Sequence, residues 1–440
     1  MPNPILPLWE YIPDGEPRVF GNRVYLYGSH DRVDCDAFCD YKLKVWSAPI
    51  SDLNKWECHG DSFHTADDRD HVSDTDWTNK ELYAPDVICK DGKYYLYAYI
   101  LHSKGCVGVS DKPEGPFKLL STYKYREEDA GDDGIYNDIG VLVDDDGRVY
   151  AYYGFEHSWM NEINPENMYE IVEGSLRENI LPEEEPFRFF EASSPRKING
   201  TYYLIFSPKP PGGNRLAYAT SDSPTGPFTY RGYIVDNGDQ YPAGNNHGSL
   251  CCINGPWYIF YHRMTNNTIM SRRACVERVE ILPDGSIPPV EMTSLGFEEY
   301  LSPYKSTPAE IACVLMGGCY VTEKDIFTRP ITNIKKGAII GYKYFEFGQD
   351  FSSKTMKFFA KVCGMGCKAR IRILLDDYEN GEEIGVCDIS THDGVYSTVV
   401  KNVTGRHALY FVVEHAYEGW FVAAFDDKHL FDLIEFQFVK

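Results

Sequence analysis

Residues 12–28 read IPDGEPRVFGNRVYLYG: an acid at Asp14, a turn glycine at Gly21, then an aromatic strand, VYLYG. The same order returns four times. Asp86 leads to Asp91-Gly92 and KYYLYAY, Asp138 to Asp146-Gly147 and RVYAYYG, Glu191 to Asn199-Gly200 and TYYLIFS, and His247 to Asn254-Gly255 and PWYIFYH. In each copy the polar residue stands about six to nine positions before the turn glycine, and the run behind it is rich in Tyr, Phe and β-branched residues, as a strand requires. Five units starting about 50 to 70 residues apart have the length of one four-stranded propeller blade with its loops. Outer strands repeat as well: residues 110–117 (SDKPEGPF) and 221–228 (SDSPTGPF) are nearly the same, and 47–56 (SAPISDLNKW) is a looser version with the same turn chemistry.

Beyond about Leu301 the pattern stops. LSPYKSTPAE reads as a connector, and the runs AIIGYKYFEF, KARIRILLDD, ALYFVVEHA and FDLIEFQFV, separated by Gly, Asp and Asn turns, suit a β-sandwich. The expected architecture is therefore all-β: a five-bladed β-propeller over residues 1–300, a linker at 301–307 and a jelly-roll-like β-sandwich over 308–440.

The chain has 440 residues, 43% of them hydrophobic, enough for a large core. Its formal net charge of -23 repels phosphate, which argues against nucleic acid or an anionic membrane as partner and favours a neutral ligand. Residues 1–10 (MPNPILPLWE) lack the basic and apolar regions of a signal peptide, and no run of about 18 apolar residues occurs, so a cytoplasmic protein is expected. The 13 cysteines follow no regular framework and read as reduced core thiols, with a zinc site or disulfides as the competing reading.

In a propeller the first strands of all blades run parallel around a central channel, so residues at their starts meet on one face. Asp14, Asp86, Asp138, Glu191 and His247 hold those positions. Crowded carboxylates oppose one another, some pKa must rise, and such a cost marks functional sites. Hydrolysis of a glycosidic bond needs two carboxyls, one ionised to activate water and one protonated to donate to the leaving oxygen; a third acid can keep the second protonated. For any single Asp the competing reading is turn capping.

The motifs PDGEPRVF, YAPDV, NDIGVLVDDDG, EASSPRKINGTYYL, GNNHGSL and SRRACVERV, spread over about residues 3–295, resemble glycoside hydrolase family 43, whose catalytic domain is a five-bladed propeller. The resemblance implies that Asp14 is the general base, Asp138 the residue that tunes and orients the acid, and Glu191 the general acid of an inverting mechanism. Two departures from the family's pattern are Asp14-Gly15 in place of Asp-Pro and Ala-Ser-Ser after Glu191 in place of Gly-Pro. It further implies substrate contacts for Asp31 in YGSHD, Asp86 in YAPD and Arg272 in SRRACVERV, where the adjacent Arg273 leaves the register open. Trp77 is a candidate for stacking on a sugar ring. His247 resembles the family's channel histidine, which lies near the substrate and in many members ligates calcium directly or through water. Residues 144–147 (DDDG) read as a hairpin turn, since they lack the spaced ligands of an EF-hand.

The C-terminal segment resembles family 6 carbohydrate-binding modules, with Tyr396 and Trp420 as candidate sugar contacts; a structural or oligomer-forming sandwich is the favoured alternative. The expected activity is exo-acting release of terminal α-L-arabinofuranosyl units from plant-derived arabinoxylan or arabinan oligosaccharides. Alternatives are a β-D-xylosidase and, in a different class, a non-catalytic sugar-binding propeller.

Overall fold

The computed structural model of the chain describes all residues except 34, 104, 124–135, 210–213, 239–245, 326, 351 and 421. The five repeats form five antiparallel sheets. The first is β1 (Glu16–Phe20), β2 (Arg23–Tyr27), β3 (Lys42–Pro49) and β4 (Glu57–His64). The second is β5 (Leu82–Lys90), β6 (Lys93–Ile100), β7 (Cys106–Ser110) and β8 (Lys118–Thr122). The third is β9 (Gly140–Val143), β10 (Val149–Tyr153), β11 (Trp159–Ile163) and β12 (Arg177–Glu178). The fourth is β13 (Phe189–Ile198), β14 (Thr201–Pro208), β15 (Arg215–Ser221) and β16 (Thr229–Asp236). The fifth has three strands, β17 (Ser249–Cys252), β18 (Trp257–Arg263) and β19 (Arg273–Val279). The fold is a five-bladed propeller: the first strands touch in a closed cycle, β1 to β5, β9, β13, β17 and back to β1.

The turns follow from the residues read in the sequence. Asp91-Gly92 joins Lys90 to Lys93 with φ of 51° and 75°, and Asn199-Gly200 joins Ile198 to Thr201 with φ of 50° and 85°. Left-handed backbone at both positions is the two-residue hairpin that Asx-Gly favours, and it matches the twist of the flanking strands. The aromatic strands then bury their side chains between blades. Tyr97, Tyr123, Tyr136 and Tyr153 form one such cluster with Val141 and Ile163.

The channel is filled with charge. Arg18 of β1 donates from Nε and Nη2 to Asp86 Oδ1 and Oδ2 of β5 at 2.9 and 2.5 Å, and from Nη2 to the Val141 carbonyl of β9 at 3.0 Å. Arg196 of β13 donates to Glu16 Oε2 of β1 at 2.7 Å, to the Leu250 carbonyl of β17 at 2.7 Å and to Ser249 Oγ. Every first strand contributes to this network. Asp86, expected to contact substrate, has no exposed side-chain surface, and its carboxylate is taken by Arg18 and the Val141 N–H. Those bonds tie β1, β5 and β9 together. At Gly140 a Cβ would stand 2.2 Å from the Ser193 carbonyl oxygen, so only glycine permits the close approach of β9 and β13.

The chain divides into two units, Tyr11–Met264 with Ile269–Glu291, and Met1–Glu10 with Thr265–Thr268 and Met292–Lys440. The boundaries therefore differ from 1–300, 301–307 and 308–440. The first residues belong with the C-terminal unit: the Asn3 N–H donates to the Ser294 carbonyl at 3.0 Å, and the Met1 ammonium lies 2.6 Å from Glu298 Oε1. Residues 301–307 are not a free linker, because Leu301 bridges to Phe345 and Thr307 pairs with Phe436. This unit is a β-sandwich. One sheet contains Tyr320–Val321, Ile331–Ile334, Phe431–Val439, Thr355–Gly364 and Gly394–Lys401, with Thr307–Pro308 on its side; the other contains Val314–Met316, Ile339–Glu346, Arg406–His415, Ala369–Leu375 and Glu382–Ile389. Tyr342 and Phe411 of the second sheet meet Phe436 of the first at centroid distances of 4.7 and 4.8 Å. Trp420 is 93% exposed and Tyr396 half-buried. All thirteen cysteines are free thiols, most of them buried, and no described helix is long and apolar enough to cross a membrane.

Asp86→Ala leaves the Arg18 guanidinium buried beside Val141 without its carboxylate, a change expected to cost about 3–5 kcal/mol. Chemical denaturation measures it. A sugar-contacting Asp86 would instead raise KM and leave the denaturation midpoint in place.

Candidate active site

The starts of the first strands carry an unusual backbone. Asp14 and Asp138 have φ of 56° and 51°, and Ala192, next to Glu191, has 68°. Non-glycine residues in the left-handed region are uncommon, and they persist where surrounding contacts hold them. Here those contacts are visible. Ser29 Oγ donates to Asp14 Oδ2 at 2.7 Å and itself accepts the Ala84 N–H at 2.7 Å, while Ala192 N–H donates to Asp138 Oδ2 at 3.1 Å.

Asp14 is 3% exposed. Arg272 Nη1 donates to its Oδ1 at 2.9 Å, and His262 Nδ1 lies 3.4 Å from the same oxygen and accepts the Asp14 N–H. Burial by itself raises the Asp14 carboxyl, but Arg272, then His247 and His262, and the Ser29 hydroxyl outweigh it and hold Asp14 below the usual carboxylate range. Asp14 is therefore ionised at neutral pH.

Asp138 has the opposite setting. Burial, followed by the charges of Glu191 and Asp14, pushes its carboxyl well above the usual range. The Asp138–Glu191 pair consequently carries a proton where Asp14 carries none. Glu191 sits in β13 at a register shift of its pairing with β14, is buried, and is joined to Asp138 through the backbone of its neighbour Ala192. His247 is also buried, and burial lowers its pKa, leaving the ring neutral. Its Nδ1 has no hydrogen-bond partner among the described residues and lies 3.7 Å from Asp138 Oδ2 and 3.9 Å from Asp14 Oδ1.

Five of the expected residues thus come together: Asp14, Asp138, Glu191, His247 and Arg272. The register at SRR resolves on Arg272, since Arg273 donates to the Tyr11 hydroxyl at 2.8 Å and stacks on that ring. Asp31 joins the group through Arg272. Its carboxylate has no exposed surface and accepts Arg272 Nε, Nη2 and backbone N–H, each at 2.9 Å, so it fixes Arg272 against Asp14. Trp77 lies elsewhere, packed on the core formed by Tyr25, Tyr27, Phe63 and Leu82. Three participants escaped the sequence reading. Ser29 stands in the same YGSHD motif as Asp31; His262 ends β18, which returns to the face where β17 begins; and Phe38 offers its ring to the Arg272 guanidinium at 5.0 Å. The strand pattern could have found His262. Phe38, in an irregular loop, carried no pattern.

A five-bladed propeller whose channel mouth holds an ionised carboxylate opposite a proton-bearing carboxyl pair is equipped for acid–base hydrolysis of glycosidic bonds. The chain belongs to the glycosyl hydrolases family 43, whose family model matches residues 1–287, and is a glycosidase. A xylosidase/arabinosidase of Thermoclostridium stercorarium is 37% identical over 93% of this chain and 95% of its own length. The arabinoxylan arabinofuranohydrolase of Bacillus subtilis, solved in complex with cellotetraose, shares the fold over 98% of this chain and 96% of its own, at TM-score 0.53 and 23% identity. A β-xylosidase/α-arabinofuranosidase from a compost microbial metagenome, solved with xylotriose in a calcium-free form, covers 66% of this chain and 98% of its own, at TM-score 0.54 and 27% identity.

Because the folded-state pKa of Asp138 is raised, folding is penalised once pH exceeds the carboxyl's unfolded value of about 3.9. Asp138→Asn removes that penalty. Its melting temperature at pH 7 is expected to exceed that of the parent, with the difference shrinking as pH falls below about 4, while activity collapses; thermal scans across pH read the first and a nitrophenyl glycoside assay the second.

Proposed function

We propose that this glycosidase is inverting and exo-acting, and that it releases terminal α-L-arabinofuranosyl units from arabinoxylan or arabinan oligosaccharides. The observation that carries the reading is the opposed electrostatic setting of Asp14 and the Asp138–Glu191 pair. In this mechanism Asp14 takes a proton from water as that water attacks the anomeric carbon. Glu191 gives its proton to the leaving oxygen. Asp138 keeps Glu191 protonated before the step, by making a second negative charge in the buried pair costly. Arg272, fixed by Asp31, keeps Asp14 ionised and presents its guanidinium at the same face.

A second reading, release of β-D-xylosyl units, is favoured by the double name of the relative that is 37% identical over nearly the whole chain. One active site serving both is compatible with that name, and a neutral oligosaccharide suits the acidic chain in either case.

For calcium, we propose His247 as the one protein donor, through its neutral, unpartnered Nδ1, with water supplying the oxygens that calcium prefers. The ion would add positive charge beside the acids. Chelator-treated protein is expected to gain thermal stability on adding calcium, and His247→Ala to lose that gain; a gain retained in His247→Ala removes the assignment.

Hydrolysis of nitrophenyl α-L-arabinofuranoside and nitrophenyl β-D-xylopyranoside, measured side by side, tests the substrate. The arabinofuranoside is expected to be the better one. Glu191→Gln should lower kcat on unactivated disaccharides roughly 100- to 10,000-fold while leaving binding in place, and Asp14→Asn should do so even with the nitrophenyl leaving group. Because Asp14 is depressed and the Asp138–Glu191 pair is raised, kcat/KM should stay flat through mildly acidic pH and fall on the alkaline side as the pair loses its proton. Turnover close to normal in Glu191→Gln would remove Glu191 as the acid.

A further inference from the structure

Away from the channel, at the outer edge of the first blade, a second group of titratable side chains converges. Asp61 and His64 lie at the end of β4, and Asp68 lies in the segment that leads on to β5. One oxygen of each carboxylate and one nitrogen of His64 all lie within 4.8 Å of one another. The His64 side chain has a relative exposure of 2%, and its Nε2, which has no hydrogen-bond partner among the described residues, stands 3.6 Å from Asp61 Oδ2. A buried ring nitrogen without a partner is costly, and it is the usual donor to a transition metal when neutral.

The surroundings prepare the acids. Asp68 Oδ1 accepts the backbone N–H groups of Asp70 and His71 at 2.9 and 2.8 Å, which leaves Oδ2 directed to His64, 3.8 Å from Nδ1. The His71 ring stacks on His64 at 3.9 Å between centroids and is held by Asp74 at 3.0 Å, fixing the plane of the ring. Lys42 already shows that the position takes a cation, its ammonium lying 3.0 Å from Asp61 Oδ2 and 3.7 Å from Asp68 Oδ2. That lysine is partly exposed, so its side chain can leave the site to solvent.

We propose that Asp61, His64 and Asp68 bind a divalent transition-metal ion of the zinc class, with Lys42 as the competing cation. One nitrogen and two carboxylate oxygens, with water as the fourth ligand, suit four-coordinate zinc and its neighbours better than calcium or magnesium, which prefer six or more ligands, mostly oxygen. The ion would tie the end of β4 to the segment entering the second blade. The ligand atoms, one from each residue, lie within 4.8 Å of one another, and drawing them to the roughly 3.3 Å separations of tetrahedral zinc asks for a shift of about 1 Å or somewhat more, taken up by the exposed Asp68.

The test uses the whole chain, stripped of metal by chelator and desalted, with zinc chloride as the probe. Calorimetry should show one zinc ion per chain, crystals soaked in zinc should give an anomalous peak between Asp61, His64 and Asp68, and the melting temperature should rise. Asp68→Asn is expected to weaken binding by on the order of tenfold or more, whereas Lys42→Met, by removing the competing ammonium, should tighten it several-fold. His64 is buried, so Asp68→Asn and Lys42→Met carry the test without disturbing the core. Zinc bound equally well by Asp68→Asn, or an anomalous peak only at His247, overturns the proposal, as does failure of Lys42→Met to bind zinc at all.

Discussion

Two arginines in the channel hold this propeller's centre together. Arg18 and Arg196 neutralise Asp86 and Glu16 out of contact with water, and between them they reach all five first strands. Ion pairs buried this deeply gain little over an apolar core of the same shape, but removing one partner strands the other. What they secure is register. A strand shifted by one residue would turn its arginine or carboxylate away from its partner, so the same pairs that fill the channel fix where each first strand begins, and hence where Asp14, Asp138 and Glu191 stand.

Above that network the polarity is divided by one further arginine. Arg272 bonds Asp14 and Asp31 directly, while at Asp138 its charge is outweighed by burial and by the charges of Glu191 and Asp14. The same burial therefore has two outcomes, an ionised Asp14 and a proton-bearing Asp138–Glu191 pair, because the guanidinium bonds Asp14 directly and only offsets part of the repulsion at Asp138. Ser29 and His262 refine the setting of Asp14 without changing its direction.

The fold and the acids proposed to be catalytic were legible because both follow a repeat. A turn glycine, an aromatic strand and a polar residue at each start recur five times, four of the turns being Asx-Gly, and the propeller converts that recurrence into a ring. Asp86 stands at the same place in the repeat as Asp14, Asp138 and Glu191 yet bonds Arg18 of β1, a partner that position in the repeat does not give. Asp31 and Trp77 were uncertain for a related reason: both lie in connections between strands, where contacts depend on how the chain closes in space. The domain borders were placed too simply because composition changes near residue 301, whereas the first residues pair with Ser294 and Glu298, a long-range contact with no local trace.

That pairing gives the chain the topology of an insertion. The sandwich unit opens at Met1–Glu10, is interrupted by the whole propeller, and resumes near Met292. On a ribosome its first segment emerges long before its partners, so the propeller, complete by Glu291, can fold first while the opening segment waits. The entropy of closing so long a loop grows only with the logarithm of its length. Delay, more than free energy, is what this arrangement imposes on biosynthesis, and the sandwich matures after the propeller.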